Sequence, residues 1–200
     1  MRFVAGADEA GRGCLAGPLV AAAVCLDVGR LTGPRARPLA RLNDSKQHTP
    51  ASRAVLYDAV LDCAEQVAVC VVPAADIDRV GLHRSNLAAL ERVLRRLRPT
   101  PEVCLTDGFA IPATDLPAQR MVGGDGRSAA IAVASIVAKV TRDRLMHRLS
   151  DRYPGYGFDS HVGYITPEHT RAVRALGPTP LHRRSFASLA YEQLGLDLGL

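Results

Sequence analysis

Hydrophobic residues along the chain fall into short continuous runs that alternate with stretches of helical spacing. The continuous runs have the length of buried strands and cover residues 3–7, 19–26, 66–72 and 103–106. The stretches with helical spacing cover residues 50–64, 85–97, 129–149 and 167–177. Strands that alternate with helices in this way predict an α/β layer structure.

Proline and glycine residues mark the boundaries of these elements. Pro50 stands where a first helical turn accepts proline, Pro99 ends the second helix, and Gly177 closes the helix that opens at Thr166 and Pro167. Residues 29–38 are rich in Gly, Pro and Arg and predict an exposed loop. A chain of 200 residues suggests one domain over residues 1–200, in which residues from 180 onward form a short tail or closing helix.

Composition restricts the function classes only mildly. The net charge of +5 and the pI of about 9.2 permit a nucleic-acid partner without requiring one. The five cysteines form no CxxC pair, which argues against a zinc site and is typical of reduced thiols in a cytosolic protein. No apolar signal core and no apolar run of membrane-spanning length occur, so we expect a cytoplasmic protein without membrane contact.

Acidic residues follow two of the predicted strands. Asp8 and Glu9 come after the first strand in the stretch GADEAGRG, Asp107 follows the fourth strand, and Asp125 precedes the longest helix. Acids at strand ends can converge at one edge of a sheet, where their mutual repulsion would favour divalent cations with oxygen ligands. Two such cations about 3.5–4 Å apart can clamp a phosphodiester for hydrolysis. A metal-dependent phosphodiesterase is therefore the leading interpretation of the residues.

Each acid also has a purely structural interpretation. Asp8 and Glu9 could form a turn, Asp107 precedes a glycine as in many turns, and Asp125 could cap the long helix. The spacing of the four acids does not decide between these alternatives. Nor do the glycines of the opening stretch form a phosphate-binding P-loop or a dinucleotide fingerprint, because the required spacing and the Lys and Ser/Thr residues are missing.

The opening stretch GADEAGRGCLAGPLVAAAV closely resembles the first signature of the ribonuclease HII family. Later blocks of that family follow in the same order between residues 42 and 186, and they read LNDSKQ, LTDGF, GGDGRSAAIAVASIVAKVTRDRLM, HVGYITPEH and LHRRSF. The resemblance implies a ribonuclease H-like α/β fold, with a mixed central β-sheet flanked by helices and a small C-terminal helical segment. It also implies hydrolysis of RNA in RNA–DNA hybrids and nicking of duplex DNA on the 5′ side of single ribonucleotides, leaving a 3′-hydroxyl and a 5′-phosphate.

The resemblance assigns roles to residues that match its motifs. Catalytic acids that would hold two Mg²⁺ or Mn²⁺ ions are Asp8, Glu9, Asp107 and Asp125. Gly11, Arg12 and Gly13 match the segment whose backbone approaches the 2′-hydroxyl, and Tyr164 matches the tyrosine that packs on the next sugar, where a deoxyribose is favoured. Residues that match phosphate contacts are Asn43, Lys46, Lys139, Arg183 and Ser185. For Lys139 a solvated helix face is an equal alternative.

The sequence departs from the family pattern at three places. Gly123 and Val162 stand where the family often has lysine, and Phe109-Ala110 replaces the usual small or polar residues after TDG. Because each lysine would neutralise phosphate charge, we predict a shallower salt dependence of duplex binding than in a protein with both lysines restored.

Other functions remain open at this stage. A DNA-only nuclease or strand-transfer enzyme would share the acids but would not need a reader of the 2′-hydroxyl. A module that only binds duplexes would not need four acids in a basic protein. Gln193 through Leu198 resemble the peptides that dock on sliding clamps, although an ordinary last turn covering the core is the simpler interpretation. The family suggests a monomer.

Overall fold

A computed structural model describes residues 2–31, 39, 42, 49–112, 114–186 and 191. Within these residues the strands are β1 (Phe3–Ala10), β2 (Leu19–Asp27), β3 (Gln66–Val72), β4 (Val103–Asp107) and β5 (Ala118–Met121). The helices are α1 (Pro50–Cys63), α2 (Ala74–Val80), α3 (Leu82–Arg95), α4 (Ala129–Arg152), α5 (Phe158–His161) and α6 (Pro167–Leu176). The alternation of strands and helices predicted from the hydrophobic pattern is confirmed.

The strands form one mixed sheet in the order β3-β2-β1-β4-β5. β1 pairs antiparallel with β2 along its whole length, whereas its parallel pairing with β4 runs only from Val4 opposite Val103 to Ala7 opposite Thr106. β5 extends the sheet in parallel beyond β4. Beyond Ala7, β1 therefore pairs only with β2. On the side of β4 the pairing ends just before Asp8 and Glu9.

The chain divides into two compact units. The first unit comprises residues 1–10, 20–70 and 86–140, and it contains most of the sheet. In its core, alternate residues of β2 pack with α1 and α4, as Val24, Leu56 and Val133 illustrate. Gly6 makes the approach of α4 to β1 close, because a Cβ atom there would lie 1.9 Å from the carbonyl oxygen of Ala130.

The second unit comprises residues 11–19, 71–85 and 141–200. Its hydrophobic core gathers Leu15, Met146, Tyr156, Phe158 and Val173, all of which are nearly or fully buried. The single domain expected over residues 1–200 stays a prediction. Most of the expected C-terminal helical segment lies outside the described residues.

Capping residues fix two helix starts as the sequence predicted. Pro50 and Pro167 occupy the first turns of α1 and α6, and the preceding threonines, Thr49 and Thr166, accept hydrogen bonds from Ser52 and His169 backbone amides at 3.2 and 3.1 Å. α6 ends at Gly177, whose φ of 77° is readily available only to glycine. None of the helices in the described ranges is both long and apolar enough to cross a membrane.

Candidate nucleic-acid site and its acidic cluster

The first acidic pair lies inside a strand and not beyond its end. β1 continues through Asp8 and Glu9 to Ala10, whereas the sequence predicted a strand that stops at Ala7. The prediction was too short because β2 is long enough to pair with every residue of β1, with Asp8 opposite Ala22 and Glu9 opposite Ala21. Relative to β4, however, both acids come just after the last paired residue.

Asp8 is a buried carboxyl group whose pKa is shifted strongly. It is 8% exposed and forms a hydrogen bond with Ser135 of α4. Burial, followed by the negative charges of Glu9 and Asp107, raises the pKa of Asp8 to about 7 against the opposing effect of its hydrogen bonds to Ser135 and to the Glu9 backbone. The charge of Asp107 on β4 thus acts on Asp8 of β1 and disfavours ionisation of Asp8.

Asp107 connects the cluster to the turn that carries the fourth acid. Its Oδ1 atom accepts a 2.7 Å hydrogen bond from the backbone amide of Gly124. Asp125 follows in a short 3₁₀ turn, Gly124–Gly126, that precedes α4, and its Oδ1 atom accepts from the Gly126 amide at 2.9 Å. The structure therefore brings Asp107 and the Asp125 turn together through a backbone contact.

The chemistry of these residues fits divalent cations. All four offer hard carboxylate oxygens, and a cation would offset both the burial of Asp8 and the neighbouring charges that raise its pKa. In the part of the chain that the structure describes, no group of three or more His, Cys, Asp or Glu side chains is arranged to hold a metal ion as it stands. The acids would therefore have to reorient their side chains to share an ion.

Ser135 of α4 is a further member of this cluster through its hydrogen bond to Asp8. Its position four residues before Lys139 puts both side chains on the same face of α4, one turn apart. Because Ser135 bonds to Asp8, Lys139 lies on the side of the helix that meets the acids. The i and i+4 spacing from Ser135 to Lys139 was visible in the sequence, but nothing there showed which face of α4 meets the strand.

The glycine-rich segment after β1 belongs to the second unit and forms a tight turn. The Cys14 amide donates to the Gly11 carbonyl oxygen at 3.4 Å. Gly11 has a φ of 91° and is buried, whereas Gly13 is exposed and a Cβ atom there would meet nothing within 4 Å. The chain thus presents the Gly13 backbone openly, as a close approach to a substrate would require.

Arg183 is buried beneath this turn. Its Nη1 atom donates to the Arg12 carbonyl oxygen at 2.8 Å, and its Nε and Nη2 atoms donate to the Gly17 carbonyl oxygen at 3.1 and 2.9 Å. Burial lowers the pKa of Arg183 to about 10, which leaves the group charged at neutral pH. A fully buried guanidinium bonded to the backbone holds the turn in shape, a role that the LHRRSF motif alone did not reveal.

Ser185 is also engaged by the protein itself. Its Oγ atom donates to Asp78 at 2.6 Å, and the backbone amides of Arg184 and Ser185 donate to the same carboxylate at 3.0 Å each. Asp78 of α2 therefore fixes this exposed turn, and sequence reasoning did not single it out. Asn43, Lys46 and the stretch from Gln193 to Leu198 lie outside the described residues.

Tyr164 presents its ring to solvent and is anchored through its backbone. The side chain is 44% exposed, and partial burial together with the Cys14 thiol, to which it is hydrogen bonded, raises the pKa of Tyr164. Its carbonyl oxygen accepts a 2.8 Å hydrogen bond from Nδ1 of the buried His169. The anchored backbone and open ring suit a side chain that packs against a flat ligand surface.

Two neutral histidines, His182 and His169, form a hydrogen-bonded chain that ends at the Tyr164 carbonyl oxygen. The Thr179 amide donates to Nδ1 of His182 at 2.9 Å, so the proton of that ring must lie on Nε2. Nε2 of His182 then donates to Nε2 of His169 at 3.1 Å, which leaves the second ring's proton on Nδ1, facing Tyr164. Burial lowers the pKa of both histidines to about 4, so both rings are uncharged at neutral pH.

Comparisons with known proteins bear on the family of the chain. A family model described as Ribonuclease HII matches residues 5–189. The chain is 51% identical to the ribonuclease HII of Salinispora arenicola over 189 residues, which cover 94% of this chain and 68% of that protein.

Solved structures give the same result for the fold. The ribonuclease H2 of Pyrococcus horikoshii OT3 superposes with a TM-score of 0.81 at 26% identity, covering 96% of both chains. The ribonuclease HII of Archaeoglobus fulgidus, solved in a complex with PCNA, superposes with a TM-score of 0.76 at 27% identity, covering 93% of this chain and 96% of that one. The predicted ribonuclease H-like fold is confirmed.

Proposed function

Because the chain belongs to the ribonuclease HII family of metal-dependent endoribonucleases, which act on RNA–DNA hybrids, we propose that it also nicks duplex DNA at single embedded ribonucleotides. The cut would fall on the 5′ side of the ribonucleotide and leave a 3′-hydroxyl and a 5′-phosphate. The observation that carries the reaction chemistry is that Asp8 is buried beside Glu9 and Asp107, and that this burial, together with their charges, raises its pKa to about 7.

Asp8, Glu9, Asp107 and Asp125 would hold two divalent cations, Mg²⁺ or Mn²⁺. When bound, such ions activate water and stabilise the leaving oxygen of a phosphodiester. Asp107 keeps one carboxylate oxygen on the Gly124 amide, which leaves its other oxygen available to bind a cation. Asp8 must lose its proton before it can bind a cation. Because burial and the neighbouring acids raise its pKa to about 7, cation binding by Asp8 would depend on pH near neutrality.

Substrate selection would rest on the turn from Gly11 to Gly13 and on Tyr164. The open Gly13 backbone would approach the 2′-hydroxyl, which is the group that separates RNA from DNA. The half-exposed ring of Tyr164 would pack on the next sugar and favour a deoxyribose there. Lys139, one turn from Ser135 on the same face of α4, is suited to a phosphate contact. Arg183 would instead support the substrate indirectly, by shaping the turn.

The test uses a labelled DNA duplex with one ribonucleotide, incubated with Mg²⁺, with Mn²⁺ and with a chelator. An all-DNA duplex, an RNA–DNA hybrid and the Asp125→Asn protein are run beside it. We expect a metal-dependent nick 5′ of the ribonucleotide that the variant does not make. Cleavage of the all-DNA duplex would contradict recognition of the 2′-hydroxyl, and cleavage that persists in chelator would contradict the metal mechanism.

We propose in addition that Gln193 through Leu198 dock on a sliding clamp. The support is the similarity to the Archaeoglobus fulgidus enzyme, which was solved with PCNA. Binding of the whole chain and of a chain lacking residues 193–200 to a purified bacterial clamp measures this directly. Equal binding by both proteins, or binding by neither, would dispose of the proposal.

We infer finally that the protein works as a monomer in the cytoplasm. All five cysteine thiols are free, as a reducing compartment favours. Light scattering of the purified chain at micromolar concentration would give the mass of one chain if the inference is right, and twice that mass would contradict it.

A further inference from the structure

Arg142 is a fully buried cation in the middle of α4 that donates to three backbone carbonyl oxygens. Its Nε atom bonds to Pro18 at 2.9 Å, Nη2 to Ala16 at 3.1 Å, and Nη1 to Val162 at 2.8 Å. Pro18 and Ala16 belong to the segment that follows the glycine-rich turn, and Val162 lies two residues before Tyr164. One side chain therefore ties together two segments that are far apart in sequence.

The turn is shaped around this guanidinium group. A Cβ atom on Gly11 would lie 2.0 Å from Nε of Arg142, and the φ of Gly11 is 91°. At Gly17, where φ is 90°, a Cβ atom would lie 3.2 Å from Nη2 and closer still to Met146. Glycine at position 11 thus leaves the space that Arg142 fills, so the path of the turn and the position of the guanidinium depend on each other.

The segment before Tyr164 also contacts Arg142 and the backbone that Arg142 holds. The Ala16 amide donates to the Gly163 carbonyl oxygen at 3.2 Å, and a Cβ atom on Gly163 would lie 2.2 Å from the Ala16 carbonyl oxygen. Val162, whose carbonyl Arg142 holds, has a φ of 43°, which a β-branched residue adopts only when its surroundings impose it. Arg142 bonds on both sides of this close backbone contact.

We propose that Arg142 is a positioning residue that sets the spacing between the turn at Gly11–Gly13 and Tyr164, and thereby selects an RNA–DNA junction. This inference rests on the function proposed above, in which the turn reads the 2′-hydroxyl and Tyr164 reads the following sugar. The two readers recognise one junction only if they stand one nucleotide apart. The planar guanidinium fixes that spacing, because it directs several N–H groups at carbonyl oxygens in one rigid plane.

Lysine in place of Arg142 separates this role from simple charge or packing. Its ammonium keeps the positive charge, but it is a point donor and cannot reproduce three bonds in a fixed plane. The two segments would then be held less rigidly relative to each other. Cleavage at a single RNA–DNA junction would fall more than cleavage of a uniform hybrid. In a uniform hybrid every neighbouring binding position presents the same 2′-hydroxyl.

The experiment compares kcat and KM of the wild type, Arg142→Lys and the control Arg148→Lys, which changes an exposed cation on the same helix. The substrates are a duplex with one ribonucleotide and an RNA–DNA hybrid. The quantity compared is kcat/KM on the single-ribonucleotide duplex divided by kcat/KM on the hybrid. For Arg142→Lys we expect this ratio to fall at least tenfold, because KM for the single-ribonucleotide duplex rises. We expect kcat on the hybrid to stay within threefold of the wild type. An equal loss on both substrates, or an unchanged ratio, would overturn the proposal.

Ala16→Gly provides the test if Arg142→Lys does not fold. It removes no donor of Arg142 but loosens the backbone at one of the clamped carbonyls, so the ratio should fall at least threefold. A wild type that cuts neither substrate would instead refute the proposed function itself. A wild type that prefers the junction, with the preference kept in the variant, would refute only the role of Arg142.

Discussion

Asp107 holds the backbone amide of Gly124 on one of its carboxylate oxygens, at 2.7 Å. Asp107 thereby fixes the turn that carries Asp125. Its negative charge and its ability to accept this hydrogen bond therefore have separate consequences for cleavage and for stability. Asp107→Asn can keep the acceptor and lose the charge, and we expect no cleavage with little change in unfolding free energy. Asp107→Ala should lose cleavage and also about 1–2 kcal/mol of stability, because the buried amide loses its partner.

Thermal or urea unfolding of both variants, beside cleavage assays, checks this difference. A stability loss of the same size in Asp107→Asn would mean that the charge, and not the acceptor, holds the turn. Full activity in Asp107→Asn would contradict its place among the catalytic acids.

Asp8→Asn should stabilise the metal-free protein while abolishing cleavage. The pKa of Asp8 in the folded chain is about 7, above its ordinary value of 3.8, so the folded state favours the protonated form. The stability that this proton contributes is complete below pH 3.8 and is lost as the pH rises through 7. At pH 8 the ionised carboxylate costs up to about 4 kcal/mol, which asparagine would recover.

Denaturant unfolding of the metal-free proteins at pH 4 and pH 8 measures the effect. The gain from Asp8→Asn should appear at pH 8 and vanish at pH 4, and Asp62→Asn, which changes an exposed acid on α1, should show no gain at either pH. An Asp8→Asn protein less stable than the wild type at pH 8 would rule out a pKa of about 7 for Asp8.

Gly13→Ala isolates substrate approach from folding. A methyl group at this exposed position would meet nothing within 4 Å, so the unfolding free energy should change by no more than about 0.5 kcal/mol. Cleavage of the single-ribonucleotide duplex should nevertheless fall at least tenfold, because the methyl group keeps the backbone from the 2′-hydroxyl. Gly126→Ala, also in open space, serves as the control for folding. Unimpaired cleavage by Gly13→Ala would exclude close approach at this residue.

The buried histidines predict acid sensitivity. The folded-state pKa of His169 and of His182 is about 4, below the ordinary 6.5, so each contributes full stability above pH 6.5 and loses it as the pH falls toward 4. Each loss amounts to about 3 kcal/mol at pH 4. Because protonation of Asp8 stabilises the folded chain over the same pH range, urea unfolding of the Asp8→Asn protein between pH 7 and 4 should show this decline. His147→Gln, on an exposed surface of α4, should leave the decline unchanged, whereas His182→Asn should flatten it.

Restoring lysine at position 162 should steepen the salt dependence of duplex binding. One added phosphate contact changes the slope of log K against log salt by about 0.9. Lysine also tolerates the left-handed φ of Val162 better than a β-branched residue does, whereas lysine at Gly123, with φ of 63°, would cost about 1 kcal/mol. Val55→Lys adds the same charge on the exposed face of α1. Equal slopes for Val162→Lys and Val55→Lys would exclude a local contact.

The buried strands were readable from sequence because burial on both faces leaves a continuous apolar run, as in β2, every residue of which is buried. β5 was missed because AQRM is short and half polar, and only its parallel neighbour β4 makes it a strand. α2 was missed because seven residues of mixed polarity carry little periodicity.

In the candidate site, sequence motifs predicted which acids matter but not what supports them. Arg142 and Arg183 look like exposed cations in sequence, yet both are fully buried. Their partners are backbone carbonyl oxygens, which have no residue identity and therefore leave no motif. Ser135 and Asp78 were missed for a related reason, since their hydrogen bonds depend on how helices meet loops and strands and not on local spacing.

The histidine chain behind Tyr164 has a polarity that cannot be reversed. At one end the Thr179 amide can only donate, and at the other the Tyr164 carbonyl can only accept. Neither backbone group can release or take up a proton at neutral pH, so no proton can travel along the two rings. The chain of rings therefore insulates against proton transfer, and a second proton on His169 would break it by setting two Nε2–H donors against each other.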